Sequence, residues 1–400
     1  MSNTVINQPA HSVMHTYQRF PLTIVKGKGS YVWNEKGDKF LDYTSGIATC
    51  NLGHVPETVH QKLSNQLNQL WHCSNLYEIP SQNELAALLT NNSCYDQVFF
   101  CNSGAEANEA AIKLAKKYAK DKGHPERTEI VTFHQSFHGR TGSTMAATGQ
   151  EKIHQGFSPL TSGFRYLSYN DEASLEQVDN GTTTAVLLEL IQGEGGVNKA
   201  EQAWVEKLSV ICKEADILLM VDEVQTGIGR TGTLFAYEQY GIEPDVMTLA
   251  KGLGSGFPIG AMLAKEQVAN TFQPGTHGST FGGNPLSTSA GIATIETLLD
   301  EEILHQVKSN SNWLQDELEA LRLKHEMIQD IRGLGFLIGL ELTVEAATLI
   351  EAFREKGVLV LSAGTNVLRI LPPLTTTKEE LENFLQIFKE IITEAEGIAS

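Results

Sequence analysis

Residues 218–260, LLMVDEVQTGIGRTGTLFAYEQYGIEPDVMTLAKGLGSGFPIG, contain two apolar runs that each end in a charged residue. The first run ends at Asp222 and the second ends at Lys251. Short apolar runs separated by a helix-sized gap are typical of parallel strands joined by a crossover. Ligands of such sheets bind at the carboxyl ends of the strands, where both charged residues stand.

The loop after Asp222 contains residues 227–232, GIGRTG, which match the glycine fingerprint of dinucleotide-binding folds. Asp245 follows at about the distance where such folds place an acid that binds ribose. A lone glycine pattern is a weak signal, and dinucleotide binding requires neither Asp222 nor Lys251. The pattern by itself therefore leaves two interpretations, a nucleotide site and a tight loop.

Four apolar residues followed by Asp222 and Glu223 also resemble the Walker B strand of an ATPase. An ATPase needs a G-x-x-x-x-G-K-[ST] loop to hold phosphates, and the chain contains no such sequence. We therefore exclude an ATPase. A purely structural role for Asp222, as a cap at the end of a strand, stays open at this point.

The composition limits the classes of protein to which the chain can belong. The chain has 400 residues, of which 41% are hydrophobic, which is enough for a large core. The sequence has 30 Lys and Arg residues and 48 Asp and Glu residues, which gives a net charge of −18. This charge repels nucleic acid and anionic membranes. No apolar run approaches the ~18 residues that span a bilayer, and the opening MSNTVINQPAHSV lacks the features of a secretion signal. We therefore expect a cytoplasmic protein that binds neither nucleic acid nor membranes.

The five cysteines are odd in number and include no C-x-x-C pair. This usage indicates neither a disulfide framework nor a zinc site, and we predict no metal. The cysteines are expected to be core residues.

Short apolar runs alternate with helix-like segments from about residue 97 to residue 264. The runs are QVFF, EIVTF, TAVLLELI, ILLMVD, DVMTLA and GAMLA. This alternation predicts an α/β fold with a mainly parallel sheet that helices cover on both faces. The residues that follow the runs, at the carboxyl ends of the strands, are the candidates for the site.

The two ends of the chain have a different pattern. The N-terminal fifth predicts loops, a hairpin at GSYVWNEKGDKFLDYTSG and one helix, and the part beyond about Gly291 predicts long amphipathic helices with a few strands. We expect both ends to share a smaller α+β domain. The predicted division is 1–50 for the N-terminal segment of that domain, 51–290 for the large domain and 291–400 for the C-terminal part.

The segment CNSGAEANEAAIKLAKKYAK begins a helix with a capping box, in which Ser103 and Glu106 are three residues apart. Taken alone, this is an ordinary capped helix. At a strand-to-helix turn, however, Ser103, Gly104 and Ala105 present backbone N–H groups and a hydroxyl to an anion on the positive end of the helix dipole. We therefore keep a phosphate site as the functional interpretation.

Most lysines at the end of a strand point into solvent. Lys251 differs because Gly252, Gly254 and Gly256 follow it and allow the backbone to approach the amine closely. A lysine that is removed from water, with a lowered pKa, is the usual nucleophile that forms a Schiff base. Lys251 is therefore a candidate catalytic residue.

A lysine nucleophile, a carboxylate that keeps a pyridine nitrogen protonated and a Gly/Ser turn for a phosphate together form a site for pyridoxal 5′-phosphate. With these three features, the sequence resembles the class-III aminotransferases of the ornithine and acetylornithine type over essentially its whole length. Further motifs that carry the resemblance are TYQRFPLTIVKGKGSYVWNEKGDKFLDYTSGIA, FHGRTGSTMAATG, GEGG, HGSTFGGNPL and RGLGFLIGLEL.

The resemblance implies the type I fold of pyridoxal phosphate-dependent transferases, in which the large domain holds a mainly parallel seven-stranded sheet. It also resolves the glycine pattern, because Gly227, Gly229 and Gly232 then shape the loop after the Asp222 strand and bind no dinucleotide.

The resemblance further assigns residues to the cofactor. Lys251 would form the Schiff base and move the proton, and Asp222 would pair with the pyridine nitrogen. The remaining cofactor contacts would come from Gln225 at the phenolic oxygen, Phe137 stacked on the ring, and Ser103, Gly104 and Ala105 at the phosphate. Thr280 would reach the phosphate of the other subunit, which implies a homodimer with shared sites.

The resemblance also assigns the substrate contacts. Arg140 would hold the distal carboxylate of either substrate, and Arg369 would hold the α-carboxylate of glutamate. Glu189 would pair with Arg369 while the second substrate, an amine that reacts at its ω-carbon, is bound. Ser279 would contact the substrate. One departure is that the segment NLGHVPETV lacks the second histidine usual shortly after His54, which leaves the shape of a loop near the site entrance in doubt.

The expected reaction moves the δ-amino group of N-acetylornithine to 2-oxoglutarate, so the partners are small amino acids and 2-oxo acids. Related enzymes that act on ornithine, succinyl-diaminopimelate, 4-aminobutyrate or an acylated polyamine remain as alternatives. A third possibility is a catalytically silent dimeric homologue, against which the presence of Lys251, Asp222, Arg140, Arg369 and Glu189 argues.

Overall fold

The computed structural model describes residues 12–399. The first eleven residues, on which the prediction about a secretion signal mainly rests, lie outside the described part. Three antiparallel strands come first, and the predicted hairpin is confirmed: β1 (Ile24–Lys28), β2 (Tyr31–Asn34) and β3 (Lys39–Asp42). A short turn, α1 (Ser45–Ala48), comes next. The one longer helix predicted in the N-terminal fifth is α2 (Glu57–Leu67), and α3 (Pro80–Asn91) follows it.

A seven-stranded sheet forms the centre of the molecule. Its strands, numbered along the chain, are β4 (Gln97–Cys101), β5 (Glu129–Phe133), β6 (Phe164–Leu167), β7 (Thr183–Leu188), β10 (Leu218–Asp222), β11 (Val246–Leu249) and β12 (Gly260–Ala264). Across the sheet the order is β4, β12, β11, β10, β7, β5, β6, and every pair is parallel except those that β12 makes. The predicted mainly parallel sheet is therefore confirmed.

The sequence did not predict β6. Arg165 interrupts its apolar run, and the strand lies at the edge of the sheet with most of its residues only partly buried. An edge strand is buried less than a central one, so its sequence carries a weaker apolar signal.

Helices cover both faces of the sheet. Successive residues of β7 pack into two different hydrophobic clusters, Val186 and Leu188 into one and Ala185 and Leu187 into the other, so both faces are buried. The helices of this part are α4 (Gly104–Asp121), α5 (Gly142–Ala147), α6 (Glu151–His154), α7 (Glu172–Leu175), α8 (Gln202–Glu214) and α9 (Glu266–Ala269). A short ribbon of β8 (Ile191–Gln192) and β9 (Asn198–Lys199) follows β7.

The C-terminal part combines long helices with short strands. It comprises α10 (Pro285–Leu298), α11 (Glu301–Arg322), β13 (Ile328–Leu334), β14 (Leu337–Leu342), α12 (Ala346–Glu355), β15 (Val358–Leu359), β16 (Leu361–Ser362), β17 (Val367–Ile370) and α13 (Lys378–Ala399). β15 pairs in parallel with β3, so the two ends of the chain share a sheet. The predicted boundary between residues 290 and 291 falls inside α10, which packs on α2 and α3, and the division into domains stays a prediction.

The parallel strands bring their carboxyl ends to one edge of the central sheet, where Asn102 follows β4, Asp222 ends β10 and Lys251 follows β11 closely. No helix in residues 12–399 is long and apolar enough to cross a membrane.

Candidate active site

A cavity of about 450 Å³ opens at this edge of the sheet. Most of the predicted site residues line it, namely Ser103, Gly104, Ala105, Phe137, Arg140, Glu189, Asp222, Gln225 and Lys251. Arg369, Ser279 and Thr280 do not line it. The fold thus brings predicted site residues from five separate segments of the chain to one place.

Lys251 begins a single 3₁₀ turn, Lys251–Gly254. Its backbone φ of 40° lies in the left-handed region, which residues other than glycine rarely adopt. A side chain at Gly252 would meet the Asn51 amide at 2.2 Å, so glycine is needed at the residue after Lys251. Removal from water lowers the pKa of Lys251, and Arg369 lowers it further, against the opposing effect of the Glu194, Asp222 and Glu189 carboxylates. The amine is therefore a better nucleophile than an exposed lysine.

Asp222 is almost fully buried and held by three groups. Its Oδ2 accepts a hydrogen bond from Asn108 Nδ2 at 2.8 Å and lies 2.8 Å from His138 Nδ1, and its Oδ1 accepts from the Val224 N–H at 3.0 Å. Thr248 in turn donates to Asn108 Oδ1 at 2.7 Å. This network fixes the direction of the carboxylate towards the cavity.

The roles of Asn108 and His138 were missed in the sequence. Both stand inside motifs that had been singled out, NSGAEANEAA and FHGR. Asn108 lies in α4, the helix after β4, and His138 lies in the loop after β5. Such positions at the carboxyl edge of the sheet were the available signal.

The N-terminus of α4 forms a cradle for an anion. Ser103 Oγ accepts from the Glu106 N–H at 3.2 Å, but the Glu106 carboxylate accepts from the Asn102 N–H and not from Ser103, so only half of the predicted capping box forms. N–H groups in the first turn of a helix have no acceptor within the helix and bind anions. A side chain at Gly104 would meet Val224 at 2.8 Å, so glycine is needed here.

Arg369, on β17, is buried beside the cavity. Its Nη1 donates to Glu194 Oε1 at 2.7 Å, to the Gly193 carbonyl at 2.8 Å and to Gln225 Oε1 at 3.1 Å, and its Nη2 donates to Glu194 Oε2 at 3.3 Å. Burial raises the pKa of Glu194, but the charges of Arg369 and Lys251 and the hydrogen bonds from Arg369 and Gln225 outweigh it, so the pKa is lowered overall. Glu194 is therefore a carboxylate that neutralises Arg369.

The prediction that Glu189 pairs with Arg369 is wrong. Glu189 directly follows β7, and its Oε2 accepts the Phe137 N–H at 2.8 Å. Burial and the nearby Asp222 charge raise the pKa of Glu189 well above its usual value. Glu194 lies five residues later, beyond β8, where the chain has turned towards β17. That Glu189 contacts the substrate stays a prediction.

Arg140 and Phe137 lie next to each other on the wall of the cavity. The Arg140 guanidinium carbon is 5.9 Å from the centre of the Phe137 ring, within reach of a cation–π contact. The Arg140 side chain is exposed and has no hydrogen bond or ion pair within residues 12–399. It is therefore available to an anionic substrate.

Ser279 and Thr280 lie outside the cavity. Ser279 Oγ accepts from Asn102 Nδ2 at 3.1 Å, which places it one residue away from the cavity wall. Thr280 is exposed. The structure of one chain therefore does not bring Thr280 into its own site.

The residues present fit pyridoxal phosphate. The helix N-terminus at Gly104, where a side chain would clash, suits the phosphate, and the buried Asp222 suits the pyridine nitrogen. Lys251, with its lowered pKa, suits the aldehyde carbon of the cofactor.

Comparisons with known proteins identify the family of the chain. The family model Aminotransferase class-III matches residues 12–392. The acetylornithine aminotransferase of Oceanobacillus iheyensis is 64% identical over 397 residues, which is 99% of each chain. An ornithine aminotransferase structure from Toxoplasma gondii, reported with partial occupancy of pyridoxal phosphate, superposes with a TM-score of 0.94 at 30% identity, covering 97% of this chain and 93% of that one. The N-acetylornithine aminotransferase of Stenotrophomonas maltophilia K279a superposes with a TM-score of 0.84 at 37% identity, covering 96% and 98%.

Proposed function

The chain belongs to the class-III aminotransferases, and on that premise we propose that it moves the δ-amino group of N-acetylornithine to 2-oxoglutarate. The products are N-acetylglutamate semialdehyde and glutamate, and the reaction belongs to arginine biosynthesis. The enzyme depends on pyridoxal phosphate. The observation that carries the proposal is the pairing of Arg369 with Glu194 beside an unpaired Arg140.

Pyridoxal phosphate, when bound, supplies an electron sink for the charge left when the carbon beside the amine loses a proton. Ser103, Gly104 and Ala105 would bind its phosphate, and Asp222, held by Asn108, would stabilise a positive charge on its ring nitrogen. Lys251 Nζ would then accept the proton from the substrate carbon and return it, a task that its lowered pKa favours.

The two substrates differ at the reacting carbon. In N-acetylornithine the δ-carbon bears no carboxylate, whereas glutamate bears its α-carboxylate on the carbon that reacts. Arg140 would hold the distal carboxylate of either substrate, which brings the reacting carbon of each to Lys251. The site therefore needs a second cation that binds the α-carboxylate of glutamate and that is neutralised by the protein when N-acetylornithine is bound.

The Arg369–Glu194 pair meets that requirement. The Arg369 side chain is 2% exposed and the Glu194 side chain is 29% exposed, so the carboxylate is the partner with room to move. With N-acetylornithine bound, Glu194 would stay on Arg369 and no buried cation is left unpaired. With glutamate bound, the α-carboxylate would replace Glu194 on Arg369 through a bidentate pair.

We also propose a homodimer. Large apolar side chains are exposed on residues 67–77 and at Phe281, and the His72 and Phe281 rings lie 5.2 Å apart, so these segments form one surface. Trp71 and Phe281 are more than half exposed, and Thr280 is part of the same surface. A second copy of the chain would cover it and would receive Thr280 at its own phosphate site.

A cytoplasmic location is part of the proposal. The five cysteines are free thiols in the structure, which suits a reducing compartment.

The test is a panel of amines with 2-oxoglutarate as the acceptor. The panel comprises N-acetylornithine, ornithine, 4-aminobutyrate and an acylated polyamine, and kcat/KM is measured for each from glutamate formation. We expect N-acetylornithine to give the highest value. A higher value for ornithine would assign the enzyme to the ornithine aminotransferases instead.

A further inference from the structure

The turn that carries Lys251 is strained at both ends. Lys251 begins it with a φ of 40°, and Ser255, which caps its end, has a φ of 44°. Both values lie in the left-handed region, which residues other than glycine adopt only where the surrounding structure holds them there. Contacts from outside the turn must therefore keep it in this conformation.

The loop after α1 makes these contacts. The Leu52 N–H donates to Ser255 Oγ at 2.9 Å. The amide of Asn51 lies against Gly252, where a side chain would come within 2.2 Å of Asn51 Nδ2. Asn51 is 1% exposed, and the turn from Gly252 to Gly254 is buried. Two neighbouring residues of one loop thus contact the start and the end of the turn.

The Asn51 amide is itself fixed on both sides. Its Nδ2 donates to the Ile228 carbonyl at 2.6 Å, and its Oδ1 accepts from Arg230 Nη2 at 2.8 Å. Because the site is buried, rotation of the amide would leave polar groups unpaired. The amide therefore limits how far Gly252 and the rest of the turn can move.

Arg230, which holds the Asn51 oxygen, is completely buried. Its Nη1 donates to the carbonyls of Phe336 and Pro372. Phe336 lies between β13 and β14, and Pro372 follows β17 closely. Burial lowers the pKa of Arg230 to about 9. Through Arg230, the position of the Asn51 amide depends on the packing of the C-terminal part of the chain.

We propose that Asn51 is a positioning residue for Lys251. Its amide prevents the turn from relaxing at Gly252, so the Lys251 backbone keeps its left-handed conformation and the residue stays on the wall of the cavity. Arg230 holds the amide in the required orientation. The inference rests on the proposed role of Lys251 as the group that moves the proton, and it holds whichever amine is the substrate.

The test is a double-mutant cycle on the contact. Asn51→Ala removes the amide, Gly252→Ala adds a methyl group that meets it, and the double variant puts the methyl group into the space that the amide leaves. Alanine suits the backbone at position 252, where φ lies outside the left-handed region. Asn34→Ala is the matched control. Asn34 is also buried and its side chain also holds a turn, but it does not line the cavity.

The four variants should differ in kcat. Gly252→Ala should lower kcat for N-acetylornithine about 100-fold, because displacement of a reacting group by ~1 Å costs that much. Asn51→Ala should lower kcat about tenfold, since the turn is then free to relax. The double variant should recover about tenfold over Gly252→Ala alone, whereas independent effects would multiply. Asn34→Ala should match wild type, and KM should change less than about twofold throughout.

A second readout needs neither cofactor nor turnover. Reductive methylation of the cofactor-free protein at a series of pH values, followed by mass spectrometry, gives the pH at which Lys251 becomes reactive. Burial lowers the pKa of Lys251, so release of the turn in Asn51→Ala should raise this pH towards that of an exposed lysine. Asn34→Ala should not raise it. The charged side chains that act on the amine are the same in all variants, namely Glu194, Arg369, Asp222 and Glu189.

Thermal unfolding of the cofactor-free proteins shows which variants fold. A loss of stability alone would lower the unfolding temperature and leave the reactivity profile of Lys251 as in wild type. Gly252→Ala provides the same test with the Asn51 side chain in place, since it should also raise the pH at which Lys251 reacts. The profile therefore tests the proposal even if Asn51→Ala does not fold.

The outcomes separate this inference from the proposed function. A double variant whose loss is the product of the two single losses would overturn the role of Asn51. A wild-type reactivity profile in folded Asn51→Ala or Gly252→Ala would overturn it as well. Turnover retained by Lys251→Ala would instead overturn the proposed role of the lysine, and the reactivity profiles would still decide whether Asn51 positions it.

Discussion

The guanidinium of Arg369 and the carboxylate of Glu194 form an ion pair, with 2.7 Å between Nη1 and Oε1, next to the lysine on which the chemistry depends. The pair joins β17 to the loop after β8, and Gln225 donates to the same carboxylate at 3.4 Å. Under the proposed function, glutamate would place its α-carboxylate at this point and N-acetylornithine would not, so the pair would be where the two substrates are distinguished.

Substituting Glu194 by Gln should separate the two half-reactions. Arg369 would then be a buried cation without a charged partner whenever N-acetylornithine is bound, which should slow that half-reaction on the order of tenfold. The glutamate half-reaction should be retained or become faster, since nothing competes for Arg369. Single-turnover spectroscopy with one substrate at a time measures each half.

The control for this experiment is Glu189→Gln, because Glu189 is also buried and acidic but bonds to the Phe137 N–H. It should not change the ratio of the two half-reactions. Equal slowing of both halves by Glu194→Gln would refute the role of the pair.

Replacing Lys251 by Ala should abolish turnover while the protein still folds. The variant keeps the phosphate cradle and Asp222 but has no amine to accept the proton, and loss of a positioned acid–base group costs about 10²–10⁴ in rate. Steady-state assays compare it with Lys324→Ala, which should be active because Lys324 is exposed and does not line the cavity. Turnover within about tenfold of wild type, equivalent to ~1.4 kcal/mol in the barrier, would contradict the assignment.

The amine of Lys251 should become reactive at a lower pH than the amine of an exposed lysine. An amine reacts in its deprotonated form, and burial lowers the pKa of Lys251 below the usual 10.5. In the cofactor-free protein its rate of reductive methylation should therefore rise with pH and level off at a lower pH than that of a blocked lysine in solution. Mass spectrometry gives the rate at this residue, and identical profiles for the two amines would be evidence against the shift.

A methyl group at Gly104 should weaken cofactor binding. It would lie 2.8 Å from the Val224 side chain and displace the start of α4, whose N–H groups would hold the phosphate. We expect Gly104→Ala to raise the dissociation constant for pyridoxal phosphate about tenfold, that is by ~1.4 kcal/mol, as measured by reconstitution of the cofactor-free protein. Adding Val224→Ala removes the clash and should recover part of the affinity, and a failure to do so would mean that the close contact is not the cause.

Mixed dimers test whether the sites are shared. When one chain carries Lys251→Ala and the other Thr280→Ala, a shared arrangement places both lesions in one site and leaves the other intact. Activity should then be about half that of wild type, and the intact site should retain cofactor as well as a wild-type site does. If the sites are separate, the site that keeps Lys251 instead carries the Thr280→Ala substitution. That site should then lose cofactor as readily as the Thr280→Ala homodimer does.

The central strands could be read from the sequence because a strand buried on both faces is a continuous apolar run. The ends of β10 and β11 identified Asp222 and Lys251, and the Ser-Gly turn identified the start of α4. These features depend on residues that are neighbours in the chain. β6 was missed because an edge strand carries a weaker form of the same signal.

Only the tertiary structure decided which acid pairs with Arg369. Glu189 and Glu194 both follow β7 within a few residues, and either could be assigned from the sequence. Glu194 and Arg369 are 175 residues apart in the chain, and their contact depends on how the loop after β8 packs against β17. The same holds for Asn108 and Asp222, which are 114 residues apart. Local sequence determines which strands and turns form, whereas side chains from distant segments meet only through the packing of the whole fold.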